Sequence, residues 1–286
     1  MLGEKKYFCA LNITVMKKIV LFAAMLIASV ACSQSKAPKA LVLYYSQTET
    51  TAKVAQEISN LLGADIEEIA LVNPYDGTYQ ETIARSNEER QSGKLPELKP
   101  LNSDLKKYDV IFLGYPIWFG TYALPIGSLL ESVDFSGKKV VPFCTFGSGG
   151  LDASVKDLKA NMAGAEVLPG YGVRQARIDA MPAEVERFLK AGGFLGGEFA
   201  QPGEFSEMKP ATEAEAAIFD AAVSTYPMIR ATAQNVASRA IEGGTEYLFE
   251  ARDIPRDPEH PEMAGTSKIY VLALDGQDPV FTQVVR

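Results

Sequence analysis

Short apolar segments alternate with helical patterns between residues 39 and 190, and this alternation is the feature that most restricts how the chain can fold. Two of the five segments are nearly continuous apolar runs, as in strands buried on both faces of a sheet. The segments are ALVLYYS, ADIEEIAL, YDVIFLGYP, KKVVPFCTF and AEVLPGYGV. Apolar spacing predicts helices over residues 50–62, 82–91, 123–133, 153–162 and 182–190. The alternation predicts an α/β fold with a doubly wound, five-stranded parallel sheet.

The turn after the first predicted strand, residues 46–51, is rich in hydroxyl groups and opens a helix. Unpaired N–H groups and the helix dipole make such a turn a candidate anion site. It has neither the G-K-[ST] ending of a Walker loop nor a G-x-G-x-x-G fingerprint, which argues against tightly bound ATP or NAD(P). A simple helix N-cap would also explain its hydroxyl groups.

The turns after the third and fourth predicted strands have a different chemistry. Residues 114–125 carry the chain's only tryptophan, and aromatic residues bunched in a turn suit a flat heterocycle, although core aromatics covering the sheet end are the alternative. Residues 145–150 contain three glycines whose backbone groups could bond the polar edge of a ring, although glycine-rich flexibility would explain them equally well. We expect Cys144, at the strand end, to be a small buried residue.

Together, YYSQTETTAKVA, YDVIFLGYPIWFGTYALPI and PFCTFGSGGLDAS resemble the three FMN-binding loops of the flavodoxin family. The resemblance is to the bacterial flavodoxin-like branch with a Y-P-I-W-W-G-T second loop, and it extends over residues 39–190, including the insert TYQETIARSNEERQSGKLPELK. It implies FMN as cofactor. The residues that it assigns to the cofactor are Ser46, Gln47, Thr48, Thr50, Thr51, Pro116, Ile117, Trp118, Phe119, Gly120, Thr145, Phe146, Gly147, Gly149 and Gly150.

Within this set, the resemblance gives each loop a role. Ser46, Thr48 and Thr51 would hold the FMN phosphate. The isoalloxazine ring would lie along residues 118–120, with Thr145 and residues 147–150 at its other edge.

Two positions depart from the family pattern. Glu49 and Thr50 stand where the family usually has Gly-Asn, and a carboxylate beside a phosphate dianion would lower FMN affinity. Phe119 replaces a second tryptophan, which keeps an apolar ring but loses an N–H donor.

The resemblance implies an electron carrier or an NAD(P)H-dependent reductase of quinones or similar acceptors, with a redox partner protein or a small-molecule acceptor. It names no catalytic side chain. The alternative is a non-catalytic envelope binding module in which FMN binding is weak or lost.

The N-terminus has the layout of an export signal. Residues 16–31 read MKKIVLFAAMLIASVA, two lysines followed by an apolar run and small residues, so we expect residues 1–31 to be cleaved. The segment SVAC-SQ resembles a bacterial lipoprotein signal, with Ser29 where leucine is usual, and this implies that Cys32 is lipidated. Residues 32–38 would then tether the protein to a membrane of the bacterial cell envelope. An ordinary secretory signal is the alternative.

Cysteine, histidine and charge counts exclude several function classes. Loss of the signal and lipidation of Cys32 leave Cys144 as the one thiol, so no intramolecular disulfide is expected. The net charge of −8 disfavours nucleic acid as a partner. A single histidine, His260, leaves no histidine cluster for a metal and no triad in the first domain.

The composition changes after residue 190. Residues 191–211 are glycine-dense and predict a linker that packs in part on the first domain. Residues 212–286 predict one helix followed by antiparallel strands with Gly-Gly and Asp-Gly turns, an α+β accessory domain. This order and the segment EGGTEYLFEA resemble the cystatin-like fold, but Ala240 and Glu242 replace the usual Gln and Val of the inhibitory hairpin. These departures argue against protease inhibition, so we expect the accessory domain to be a structural or partner-binding appendage.

Overall fold

A computed structural model describes residues 38–196, 203–224, 226–255, 259 and 264–286, and residues 38–286 belong to one compact unit. The predicted signal peptide, Cys32, most of the tether, the middle of the linker and His260 lie outside the described residues. Within the described ranges, no helix is both long and apolar enough to cross a membrane.

The α/β domain is built on a sheet whose parallel strands follow the order β2-β1-β3-β5, and β6 and β7 both pair with β5. Strand β4 forms an antiparallel hairpin with β3. The strands are β1 (Ala40–Tyr44), β2 (Asp65–Glu68), β3 (Val110–Trp118), β4 (Thr121–Tyr122), β5 (Lys139–Phe146), β6 (Glu166–Val167) and β7 (Tyr171–Arg174). The predicted parallel sheet is confirmed.

Helices cover both faces of this sheet. Successive side chains of a strand point to opposite faces. Accordingly Leu41 and Leu43 join one core cluster, whereas Val42 joins the other. The helices are α1 (Thr50–Leu62), α2 (Tyr79–Ser92), α3 (Leu124–Ser132), α4 (Leu151–Asn161) and α5 (Met181–Ala191). Helices α3 and α4 contribute to the first cluster, and α1 and α5 to the second, which is the doubly wound arrangement.

Several predicted elements differ in extent, and two of the differences have a clear local cause. The last predicted strand of the sheet is split into β6 and β7, and Pro169, which has no N–H to donate to a ladder, lies between them. Helix α2 begins earlier than its apolar pattern predicts because Thr78 and Glu81 form a capping box at its start.

The accessory domain is an antiparallel sheet with one packed helix, as predicted. Its strand order is β12-β11-β10-β9-β8, so the main strands form a meander. The elements are β8 (Lys209–Pro210), α6 (Glu213–Ser224), β9 (Ala231–Ile241), β10 (Gly244–Asp253), β11 (Thr266–Leu274) and β12 (Val280–Val285). Phe219 of α6 and Phe249 of β10 are buried together in its core, with their ring centres 5.2 Å apart. The cystatin-like resemblance stays a prediction.

The start of the linker packs on the α/β domain. The ring of Phe194 contacts the ring of Phe112 of β3, with centres 5.0 Å apart. Leu195 packs against the same core cluster.

Candidate functional site

The first predicted cofactor loop joins β1 to α1 and offers backbone donors. In the described part of the chain, no backbone N–H of residues 47–51 donates a hydrogen bond to a protein acceptor. The next N–H, that of Ala52, donates to Ser46 Oγ at 3.3 Å. Unpaired N–H groups at the positive end of a helix fit an anion such as a phosphate.

Hydroxyl groups around this loop connect it to the third loop. Thr51 is buried, and its Oγ1 lies 2.7 Å from Oγ1 of Thr145 at the end of β5. Thr48 is exposed, and its hydroxyl lies 3.3 Å from that of Thr50. Thr48 therefore remains accessible to a ligand, whereas Thr51 holds two loops together.

The side chain of Gln47 forms hydrogen bonds within the protein. Its Nε2 donates to the carbonyl oxygen of Tyr75 at 2.8 Å, and its Oε1 accepts from the Tyr45 hydroxyl at 2.5 Å. Burial raises the pKa of both tyrosine hydroxyls, so they remain protonated donors. Gln47 can contribute its backbone N–H to a ligand, and its side chain serves the fold.

Glu49 occupies the position where the flavodoxin pattern has glycine, and the backbone explains that preference. Its φ is 59°, in the left-handed region, which costs a non-glycine residue about 1–2 kcal/mol. The side chain is exposed and forms no cap to α1. Burial raises the pKa of the Glu68 carboxyl on β2, and the Glu49 charge raises it further, so the two acidic groups are neighbours.

The second loop is a tight hairpin that the sequence did not predict. Trp118 of β3 pairs with Thr121 of β4, and the two residues between them have positive φ, 51° at Phe119 and 85° at Gly120. Two consecutive positive φ values are the signature of a type I′ hairpin turn, which requires a residue such as Gly120. Phe119 is held in this conformation although it is not glycine.

The Trp118 side chain packs partly into the core. Its ring meets the Tyr75 ring edge-on with centres 5.2 Å apart and the Tyr45 ring at 6.0 Å. The side chain is half-buried against the main core cluster. Part of the Trp118 ring is therefore a core aromatic that covers the end of the sheet. The part that remains exposed is available to a ligand.

The insert before β3 supplies cations that sequence reasoning missed. The ring of Phe119 is 44% exposed, and the Arg90 guanidinium of α2 lies 4.4 Å from its centre. Arg85 of the same helix lies 4.1 Å from the centre of the Tyr75 ring. Arginines on one helix, placed to reach a neighbouring aromatic loop, are the signal that could have indicated this contact.

The third loop, residues 145–150, approaches the second loop closely. Gly150 has a φ of 127°, and a Cβ at this position would lie 2.7 Å from Cγ2 of Ile117. Pro116 and Thr145 are register partners in neighbouring strands. The structure therefore brings the three predicted loops together, the first to the third through Thr51 and the third to the second through Gly150.

One predicted site residue is not exposed at this junction. Phe146 is buried and lines a cavity of about 840 Å³ between the α/β domain and the accessory domain. Another cavity, of about 970 Å³, lies beside α3 and has none of the predicted cofactor residues in its lining. Cys144 is buried as expected, and burial raises the pKa of its thiol well above the usual value.

Three solved structures are similar to about half of this chain. A putative flavoprotein from Bacteroides eggerthii shares 31% identity over 52% of this chain and 96% of its own, with a TM-score of 0.46. A putative flavoprotein from Bacteroides uniformis shares 30% identity over 53% and 99%, with a TM-score of 0.47. A flavoprotein in complex with FMN from Lactobacillus acidophilus shares 27% identity over 51% and 99%, with a TM-score of 0.44.

No curated protein matches the chain. A flavodoxin family model matches residues 39–186, which is just over half of the chain and includes all three loops. The chain therefore belongs to the flavodoxin family.

Proposed function

We propose that this protein binds FMN at the junction of its three loops and transfers electrons at the bacterial cell envelope, as an electron carrier or as a reductase of a small acceptor such as a quinone. The observation that carries the proposal is the row of backbone N–H groups at residues 47–51 that have no protein acceptor in the described structure. Bound FMN would supply the redox chemistry, and the chain would bind and orient it.

The phosphate is the part of FMN that this chain is best equipped to hold. The N–H groups of residues 47–51 would donate to its oxygens, joined by the accessible hydroxyl of Thr48. Glu49 opposes phosphate binding because it adds a negative charge to the loop. Its exposed side chain lets solvent screen that charge, so binding is weakened rather than prevented.

The ring of the cofactor would be held by apolar and backbone groups. The exposed ring of Phe119 and the accessible part of Trp118 offer apolar surface for a flat heterocycle. Gly147 and Ser148 are exposed, and their backbone N–H groups could donate hydrogen bonds to its polar edge. These residues would orient the ring and exclude water from part of it.

Location and partners belong to the same proposal. Lipidation of Cys32 would anchor the chain to the envelope membrane, and the acidic composition, with a sequence pI near 4.9, would favour a redox partner with a basic docking surface. Cys32→Ser should move the protein from the membrane fraction to the soluble fraction. Unchanged fractionation would argue against the anchor without affecting the proposed cofactor site.

Gel filtration of the full chain after incubation with excess FMN tests cofactor binding. We expect flavin absorbance to co-elute with the protein and to bleach on chemical reduction. Protein that elutes colourless at high FMN would contradict the proposal and favour the binding-module alternative.

A further inference from the structure

The third cofactor loop is bonded to the last strand of the accessory domain. The backbone N–H of Val284 in β12 donates to the carbonyl oxygen of Ser148 at 2.8 Å. The N–H of Gly150 faces Oε1 of Gln283 at 3.4 Å. Gly149 permits this approach, because a Cβ there would lie 2.7 Å from the Val284 carbonyl oxygen.

A buried arginine reinforces the same connection. Arg174, at the end of β7, is only 4% exposed, and its Nε donates to the carbonyl oxygen of Gly147 at 3.1 Å. Its guanidinium carbon lies 3.9 Å from the centre of the Phe281 ring and 4.5 Å from that of Tyr226, both in the accessory domain. The Arg174 side chain thus donates a hydrogen bond to the loop and makes cation–π contacts with two rings of the accessory domain.

The environment of Arg174 is unusual for a buried cation. Among the described residues, no carboxylate forms an ion pair with it, and desolvation lowers the pKa of its guanidinium. A buried charge is costly unless other contacts compensate for it. Here the compensation comes from the loop carbonyl, the polar end of the Tyr226 side chain and the two aromatic rings, so the loop and the accessory domain depend on the same group.

The third loop is flexible in sequence, so these contacts matter for its order. It contains three glycines, which lose more conformational freedom than other residues when they are ordered. On its other side, Gly150 packs against Ile117 of the second loop. The loop therefore lies between the second loop and β12, and contacts on both sides fix its conformation.

We infer that Arg174 and strand β12 are positioning elements for the third loop, so that the accessory domain forms part of the cofactor site instead of being a separate module. This inference rests on the proposed function, because the loop matters for chemistry only if it holds the flavin. The contacts order the loop before the cofactor arrives, and pre-organisation of this kind improves affinity.

Two matched phenylalanine variants of the full chain test the inference. Phe281→Leu removes the ring that stacks on Arg174, whereas Phe249→Leu makes the same change in the core of the same sheet without touching Arg174 or the loop. We expect Phe281→Leu to weaken FMN binding by about five- to thirtyfold, the factor that corresponds to a desolvated cation–π contact. It should also speed deuterium exchange of the amides of residues 147–151 in protein without FMN and alter the visible circular dichroism of bound flavin.

Phe249→Leu should lower the stability of the accessory domain and leave FMN affinity, loop exchange and flavin dichroism close to wild type. Equal effects of the two variants on FMN affinity, or unchanged loop exchange in Phe281→Leu, would overturn the inference. Arg174→Met, which removes the loop hydrogen bond itself, should have effects at least as large as Phe281→Leu. Wild-type protein that binds no FMN would contradict the proposed function, and loop exchange in the variants would still test the contact with the accessory domain.

Discussion

The hydroxyl pair between Thr51 and Thr145 is the contact through which we can test most quantitatively how the loops are assembled. The two oxygens are 2.7 Å apart, and the residues are only 1% and 5% exposed. Thr51→Val keeps the shape of the side chain but leaves the Thr145 hydroxyl without this partner. A buried polar group that loses its partner costs about 1–3 kcal/mol, so we expect the free energy of unfolding to fall by that amount.

Denaturant unfolding followed by the fluorescence of Trp118, the only tryptophan, provides the assay. We expect Thr145→Val alone to cost a similar amount. The double variant should cost no more than one single variant, because removing both hydroxyls leaves no unpaired group. Strictly additive losses in the double variant would show that the two hydroxyls do not stabilise each other and would refute this reasoning.

Other regions of the chain give independent predictions. Gly150→Ala should lower the free energy of unfolding by about 1–3 kcal/mol in the same assay, because its φ is 127° and the new Cβ would meet Ile117; full stability would argue against the described packing. The hydrogen bond from Lys209 lowers the pKa of Glu215 from 4.5 to about 2, so its charged form stabilises the fold above pH 4.5 and this contribution is lost as the pH falls towards 2. The stability difference between wild type and Glu215→Gln should therefore be present at pH 7 and disappear near pH 2, and a pH-independent difference would be inconsistent with it. Cys144 should resist alkylation, read site-specifically by mass spectrometry, until denaturant is added; rapid labelling of the folded protein would contradict its burial.

The architecture could be predicted because it depends on local patterns. Buried strands reveal themselves as apolar runs, and the alternation of Leu41 and Val42 between opposite core clusters follows from strand geometry alone. The flavodoxin resemblance located the three loops at the ends of β1, β3 and β5, which are neighbours in the sheet although β2 separates the first two in sequence. The cap at Thr78 and the break at Pro169 were also visible as residue types, although the exact ends of the elements were not predicted.

The contacts that shape the site could not be predicted because they join distant parts of the chain. Nothing near Arg174 in the sequence indicates that its guanidinium stacks on Phe281 or that Val284 bonds to the third loop. The aromatic bunching around Trp118 suggested a ligand surface, yet that side chain is half-buried in the core and its ring packs edge-on against Tyr75. Such pairings depend on tertiary packing, between the two domains for Arg174 and within the α/β domain for Trp118, and a local sequence pattern carries no information about either.

The central claim is that the first loop holds the phosphate of FMN, and the most direct test compares FMN with riboflavin, which differs only in lacking that phosphate. Isothermal titration of the full chain with each ligand gives the two dissociation constants. If the N–H groups of residues 47–51 bind the phosphate, FMN should bind at least about tenfold more tightly than riboflavin, since hydrogen bonds to a charged group contribute about 1.5–3 kcal/mol. Equal affinity for the two ligands, or no binding of either, would contradict the claim.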